Sequence, residues 1–341
     1  MENQRIVYID ALKGFAIFLV VFAHVIAWNF PDYTQVCIFK TGQDIRIWQA
    51  GFLWQLIYSF HMPLFFMISG YLSYKTTSFY LRKEIFKKTK RLFIPYCATG
   101  FIILLVRPNY GYWFLLSLFE LSILAVLVQK LLLLINKKQY ILFDIVILAL
   151  SYVVCNKVLN THYLNSPFGD WSKAMDFYIP FFVGFLFKRH PSFMQICLKN
   201  ITILMVVFFI IFVDRYIPIR RYELWGIPHR IICYLNSFFV LPIVASLIAI
   251  RIFKDGINKR TEMVFAYLGR QTLEIYILHL FFVLQIKSIG EFWLSSDLAT
   301  CLASQIIYAT FVSAVAILIS ILLSKVIKKS KFFARVLFGI Y

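Results

Sequence analysis

Residues 298–324, LATCLASQIIYATFVSAVAILISILLS, run for 27 positions without one Lys, Arg, Asp or Glu. A helix needs about 20 apolar residues to cross the hydrocarbon of a bilayer, and this stretch exceeds that length. The same rule, applied outward along the chain, finds nine further runs at 12–30, 51–74, 92–106, 112–135, 140–158, 174–188, 200–214, 231–252 and 264–286. The spacing predicts an all-α, polytopic membrane protein of about ten transmembrane helices, read as a single domain over residues 1–341. The run at 12–30 is not followed by a small-residue cleavage site, so an uncleaved first helix is expected rather than a signal peptide.

Composition points the same way. Of 341 residues, 61% are hydrophobic, 19% aromatic and only 15% charged, with a mean hydropathy of +0.77. A soluble domain is about half apolar and about a quarter charged. The net charge of +19 does not indicate nucleic acid, because the cations sit in short clusters between apolar runs instead of on one aromatic-interleaved face. Counted by Lys and Arg alone, a cytoplasmic N-terminus puts the dense cluster Lys75–Arg91, Lys137 and Lys138, Lys188 to Lys199, Arg251 to Arg260 and the C-terminal lysines on one side. Both termini are therefore expected in the cytoplasm. The segment 215–230 breaks the pattern with Arg215, Arg220, Arg221 and Arg230, either as a slip in topology or as a site for an anionic or phosphate-bearing acceptor. The six cysteines are scattered singly, so neither a disulfide framework nor a metal site is expected.

Ionisable groups inside spanning runs are costly and are functional hypotheses by default. Here they are His24, His61, Glu120, Asp176, Glu274 and His279, with Asp10 and Lys13 at the inner edge of the first run. Lys13 and His24 are eleven residues apart, three turns and about 20° over, so they share a helix face and lie roughly 16 Å apart along the axis. A donor with a charged head in the cytosol and a long arm into the membrane, such as acyl-coenzyme A, spans such a gap. Histidine is the usual general base near neutral pH. The alternative is plain packing: a hydrogen-bonded His24 and a snorkelling Lys13. Pro63, two residues after His61, predicts a kink or break there, since its missing N–H frees a carbonyl one turn upstream.

Several stretches resemble one known group. Tyr8-Ile9-Asp10-Ala11-Leu12-Lys13-Gly14-Phe15-Ala16-Ile17, ending at His24, looks like the first-helix signature of the integral-membrane acyltransferase family 3. Phe60-His61-Met62-Pro63-Leu64-Phe65-Phe66-Met67-Ile68-Ser69-Gly70-Tyr71-Leu72 matches its second helix. Lys88-Thr89-Lys90-Arg91-Leu92-Phe93-Ile94-Pro95-Tyr96 and Tyr112-Trp113-Phe114-Leu115-Leu116 resemble the starts of its third and fourth. Ile179-Pro180-Phe181-Phe182-Val183-Gly184 and Leu268-Gly269-Arg270-Gln271-Thr272-Leu273-Glu274-Ile275-Tyr276-Ile277-Leu278-His279 echo later segments.

The resemblance implies a bacterial cytoplasmic-membrane O-acyltransferase. Its co-substrate would be acyl-CoA, most often acetyl-CoA, with no bound cofactor, and its acceptor a carbohydrate or lipid-linked sugar. His24 takes the family's catalytic position, with Asp10, His61, Glu120, Glu274 and His279 as supporting or cavity groups. Lys13, Lys88 and Arg91 fall where the family holds coenzyme A phosphates, although arginine is usual at the first and third-helix positions and lysine lacks its bidentate fork. Trp113, Arg220 and Arg221 are candidates for the acceptor. Glycolipid transport and glycan polymerisation are the rival functions, and both would also use buried charges.

Overall fold

The computed structural model describes residues 6–30, 45–76, 79–106, 113–135, 139–159, 171–216 and 239–341. It is almost wholly helical, with no strand among the described residues. In chain order the helices are α1 (Val7–Trp28), α2 (Ile45–Tyr58), α3 (His61–Ser73), α4 (Leu81–Lys88), α5 (Ile94–Val106), α6 (Trp113–Ile135) and α7 (Ile141–Leu159). There follow α8 (Trp171–Asp176), α9 (Tyr178–Arg189), α10 (Pro191–Leu198), α11 (Ile201–Tyr216) and α12 (Leu241–Asp255). The last are α13 (Lys259–Arg270), α14 (Thr272–Leu278), α15 (Lys287–Ser295), α16 (Leu298–Ile327) and α17 (Lys331–Phe338).

Helix α16 shows what solvent the fold is built for. Seven of its ten buried positions are small or polar, including Ala309, Ser313, Ala316, Ser320 and Ser324, the others being Val312, Ile317 and Ile321, while Ile307 is 72% exposed, Phe311 69% and Leu318 57%. Burial is inverted relative to a soluble helix: large apolar side chains face out, and small ones let neighbouring backbones approach. That is how helices pack when the surroundings are as apolar as leucine. Two of its three buried serines bond back to their own helix, Ser320 Oγ donating to the Ala316 carbonyl at 2.7 Å and Ser324 Oγ to that of Ile321 at 2.8 Å. Val7–Trp28, Arg46–Ser73, Trp113–Ile135 and Leu298–Ile327 are long and apolar enough to cross a membrane. Pro191–Leu198 and Ile201–Val213, bent by 70° at their break, together form a further candidate.

Two of the expected continuous runs are broken. The run 264–286 splits at Gln271 into α13 and α14, then tightens into a 3₁₀ turn at His279–Phe281. The run 174–188 breaks at Phe177, which leaves Asp176 exposed at the end of α8. The break expected near Pro63 is present: the chain turns at Ser59 and Phe60, and α3 starts at His61 with Pro63 in its first turn, where no intrahelical N–H bond is needed.

The chain divides into two compact units, Met1–Phe65 with Asn200–Ser324, and Phe66–Lys199 with Lys325–Tyr341. Each is pinned by a reciprocal pair of glycines. In the first unit, a Cβ on Gly14 would lie 1.8 Å from the Phe265 carbonyl oxygen, and one on Gly269 would lie 1.8 Å from that of Asp10. Hydrogen is thus the only side chain that lets α1 and α13 cross at this distance. Around the crossing, Phe15 packs against Phe253 and Phe265 with ring centroids 5.2 and 5.7 Å away. In the second unit, Gly70 of α3 meets the Phe181 carbonyl of α9, and Gly184 meets that of Met67, at 1.7 and 1.8 Å from an added Cβ. The second unit also holds a buried charge cluster. Asp144 of α7 accepts from Arg189 Nε at 2.5 Å and Nη2 at 3.4 Å and lies 2.7 Å from His190 Nε2, and Arg189 Nη1 donates to the Tyr74 hydroxyl at 3.3 Å.

Candidate active site

The site is assembled in the first unit, on α1 and on the broken helix that accompanies it. Between Leu19 and Phe30 every residue of this region is buried except His24 and Trp28. These two, one turn apart, are stacked with ring centroids 4.9 Å apart and planes 12° from parallel. Lys13 lies on the same stripe, also partly exposed. The stripe therefore runs from a cation at one end of α1 to an imidazole near the other.

His24 has a partner 255 residues away in sequence: its Nδ1 lies 2.9 Å from Nε2 of His279. The ring planes differ by 2° with centroids 5.2 Å apart, the geometry of two rings meeting edge to edge in one plane. The contact is a hydrogen bond along the ring edges, not a face-to-face stack. Its direction follows from the next link. His279 is fully buried, and its Nδ1 lies 2.9 Å from the Ile275 carbonyl oxygen, which can only accept. Neutral His279 therefore carries its proton on Nδ1 and offers a lone pair at Nε2. That lone pair accepts from His24, whose Nδ1 must be the N–H. The remaining lone pair of His24 is on Nε2, the nitrogen that takes no part in this hydrogen-bond sequence among the described residues. A backbone carbonyl thus dictates, through two imidazoles, which nitrogen of His24 is basic.

Local sequence explains the placement. Because α14 ends at Leu278 and tightens into a 3₁₀ turn, His279 bonds back to the carbonyl four residues earlier while its other edge faces α1. The end of α1 is fixed by Asn29, a residue the sequence reading passed over. Its Oδ1 accepts from the Ile286 N–H at 2.7 Å, and its Nδ2 donates to the Val25 carbonyl at 2.5 Å. An asparagine at the end of an apolar run, one residue past a tryptophan, was the available signal.

His61 belongs to the same unit. It is 1% exposed, its Nδ1 donates to the Ile57 carbonyl at 2.9 Å, and its ring meets that of Tyr58 edge-on at 4.5 Å. Bonded in this way, it closes the break before α3. Glu274 is buried at 6% exposure on α14, one turn before the 3₁₀ element. Lys13 does not stand alone as a phosphate ligand: its ammonium is 2.6 Å from the Asp10 carboxylate.

The other candidates lie in the second unit. Lys88, partly buried, donates to the Ser73 hydroxyl at 3.3 Å. Burial, reinforced by the neighbouring Lys75 charge, lowers its ammonium pKa to about 8. Arg91 is exposed on the π-helical turn Thr89–Phe93 that leads into α5. Trp113 opens α6, stacked on Phe177 at 5.6 Å with the Lys173 ammonium 5.7 Å from its ring centre. Glu120 is partly buried about two turns further along α6. Arg220 and Arg221 lie outside the described residues. Among the described residues no three His, Cys, Asp or Glu side chains converge as metal ligands.

A family model described as an acyltransferase domain matches residues 6–325, nearly the whole chain. The chain belongs to acyltransferase family 3. As a member it is a multi-pass membrane acyltransferase. No curated protein and no solved structure matches it. All four glycines at the two helix crossings fall inside stretches that resemble this family, so in this acyltransferase the motif residues around His24 and His279 include the contacts that set their separation.

Proposed function

We propose that the chain moves an acyl group, most simply acetyl, from cytoplasmic acyl-CoA to a hydroxyl of a surface glycan or lipid-linked sugar. In this reading it is a single ten-helix domain of the bacterial cytoplasmic membrane with both termini inside, and it uses acyl-CoA as co-substrate without a resident cofactor. The observation that carries the proposal is the hydrogen-bond sequence from the Ile275 carbonyl through His279 to His24, which leaves a basic Nε2 on a partly exposed imidazole.

The chemistry follows directly. The acceptor hydroxyl attacks the thioester carbonyl while its proton passes to His24 Nε2. The tetrahedral adduct collapses with cleavage of the carbon–sulfur bond. The proton then leaves His24 for the departing thiolate, giving free coenzyme A and an ester. General-base assistance of this kind contributes ~10²–10⁴-fold in rate. His279 is a positioning residue: it touches neither substrate, but holds His24 in the productive tautomer. Lys88 and Arg91 are the better candidates for coenzyme phosphates, because the Lys13 ammonium is already held by Asp10.

Sealed vesicles of one orientation test the proposal. Labelled acetyl-CoA on the Lys88 side should place label on a sugar acceptor on the other side, with free coenzyme A retained where it was supplied. His24→Ala should cut transfer by at least ~10²-fold, the lower bound for losing a general base. Full activity in a folded His24→Ala protein would overturn the assignment, and label that never leaves the coenzyme would favour a transporter.

A further inference from the structure

Two segments more than two hundred residues apart form one surface of the second unit. The first is α4 with the turn Thr89–Phe93; the second is α17 with the residues flanking it. Gly339, in a left-handed conformation with φ of 60°, ends α17 and turns the last two residues back along that turn. A Cβ on Gly339 would lie 2.7 Å from the Arg91 Cα, so the two backbones are in contact. The Lys90 ammonium then sits between two rings, 4.3 Å from the centre of Phe86 and 4.7 Å from that of Tyr341.

The charge on this surface is one-sided. Residues 81–93 carry six Lys or Arg against one acid, and residues 325–341 carry five against none. The one acid, Glu84, faces Lys75 at 3.8 Å. The apolar groups are equally unusual. Helix α17 buries Ala334 and Phe338 inward, yet leaves Phe332 66% and Phe333 51% exposed between Lys331 and Arg335. Phe86 is 59% exposed and Tyr341 56%. Exposed aromatics interleaved with cations in such excess over acids, on short amphipathic helices, suit the boundary between headgroups and acyl chains, where rings enter the apolar layer and cations stay with the phosphates.

We propose that this surface is an interfacial platform for anionic phospholipid, with Lys328, Lys331 and Arg335 against the headgroup phosphates and Phe332 and Phe333 at the acyl boundary. The partner is a lipid surface and not a second protein, because the aromatics alternate with cations on short helices and no acidic residue beyond Glu84 lies in either segment to pair with a basic partner. The inference rests on the membrane character of the chain and is independent of which group His24 activates.

The test uses the full chain purified in neutral detergent, with phosphatidylglycerol and phosphatidylcholine of matched acyl chains offered at equal mole fraction and retained lipid read by native mass spectrometry. Each Lys or Arg at an anionic surface contributes roughly a factor of five. Replacing Lys328, Lys331 and Arg335 together with Gln should therefore lower the preference for phosphatidylglycerol at least ~10-fold. Replacing Lys254, Lys259 and Arg260 of the first unit with Gln should leave it unchanged. Phe332→Ser with Phe333→Ser should lower retention of both lipids. If the first triple variant does not fold, salt decides the matter on the wild type: raising it should erase the preference, and a preference that persists counts against the platform. Equal losses in both triple variants would show a general charge effect, and complete displacement of lipid by equimolar inorganic phosphate would show a free-anion site. Either outcome overturns the proposal.

Discussion

Removing the His279 imidazole without emptying its place separates tautomer control from simple packing. In His279→Leu, the His24 Nδ1–H loses its acceptor inside a site where His279 itself is fully buried. An unsatisfied buried donor costs about 1–3 kcal/mol, and His24 escapes that cost by moving its proton to Nε2 or turning its ring. In either state the nitrogen needed as base is no longer basic or no longer aimed. At about 1.4 kcal/mol per factor of ten, kcat should fall roughly 10- to 100-fold. The loss should be smaller than that of His24→Ala, because the base remains. His279→Gln is the discriminating variant: its amide oxygen accepts from the His24 Nδ1–H and restores the proton to that nitrogen. Measured as acetyl transfer in proteoliposomes, His279→Gln should recover most of kcat, and KM for acetyl-CoA should stay near wild type in both variants. If His279→Gln is as impaired as His279→Leu in proteins of equal thermal stability, the tautomer argument is wrong.

Other expectations follow from particular contacts. The Lys88 ammonium, with burial lowering its pKa to about 8, is charged below that pH and neutral above it, so coenzyme A affinity should weaken as pH rises through about 8. Calorimetric titration across that range, with Lys88→Ala as the pH-insensitive reference, checks the sign. Gly269→Ala drives a methyl group onto the Asp10 carbonyl and should cost about 1–3 kcal/mol or more by overpacking. Gly100→Ala meets nothing within 4 Å and should be neutral or slightly stabilising in the same thermal assay. Asp144→Asn leaves Arg189 charged and buried without its carboxylate, a loss of about 3–5 kcal/mol, visible as a lowered unfolding temperature.

Much of this was legible in the sequence because membrane burial writes itself into local composition. The uncharged stretch at 298–324 is one helix, and Pro63 marked a real interruption. Hydropathy could not show that 264–286 is broken, since averaging over a window hides the polar tetrad Gly269-Arg270-Gln271-Thr272 at which α13 ends. The helical face shared by Lys13 and His24 was readable from periodicity alone. The pairing of His24 with His279 was not, because no spacing rule reaches across 255 residues. Lys13 looked like an unattached cation until Asp10, one turn before it, proved to hold it. Asp144 was hidden for the same nonlocal reason: it lies early in an apolar run, and its partners are 45 and 46 residues further on.

The crossing of α1 with α13 acts as the datum from which the histidine alignment is set. His24 lies ten residues beyond Gly14, and His279 lies ten residues beyond Gly269. At 1.5 Å per residue each arm would be about 15 Å long if helical throughout. Two arms of equal length, leaving a common fulcrum in the same direction, bring their ends level. The glycines remove all clearance at the fulcrum, so neither arm can slide without backbone striking backbone. A slip of one residue would shift one imidazole by about 1.5 Å along the axis and rotate it by about 100°, which no hydrogen bond survives. The second arm is jointed at Gln271, so α14 takes its own direction from there to His279, whose ring ends within 2° of the plane of His24.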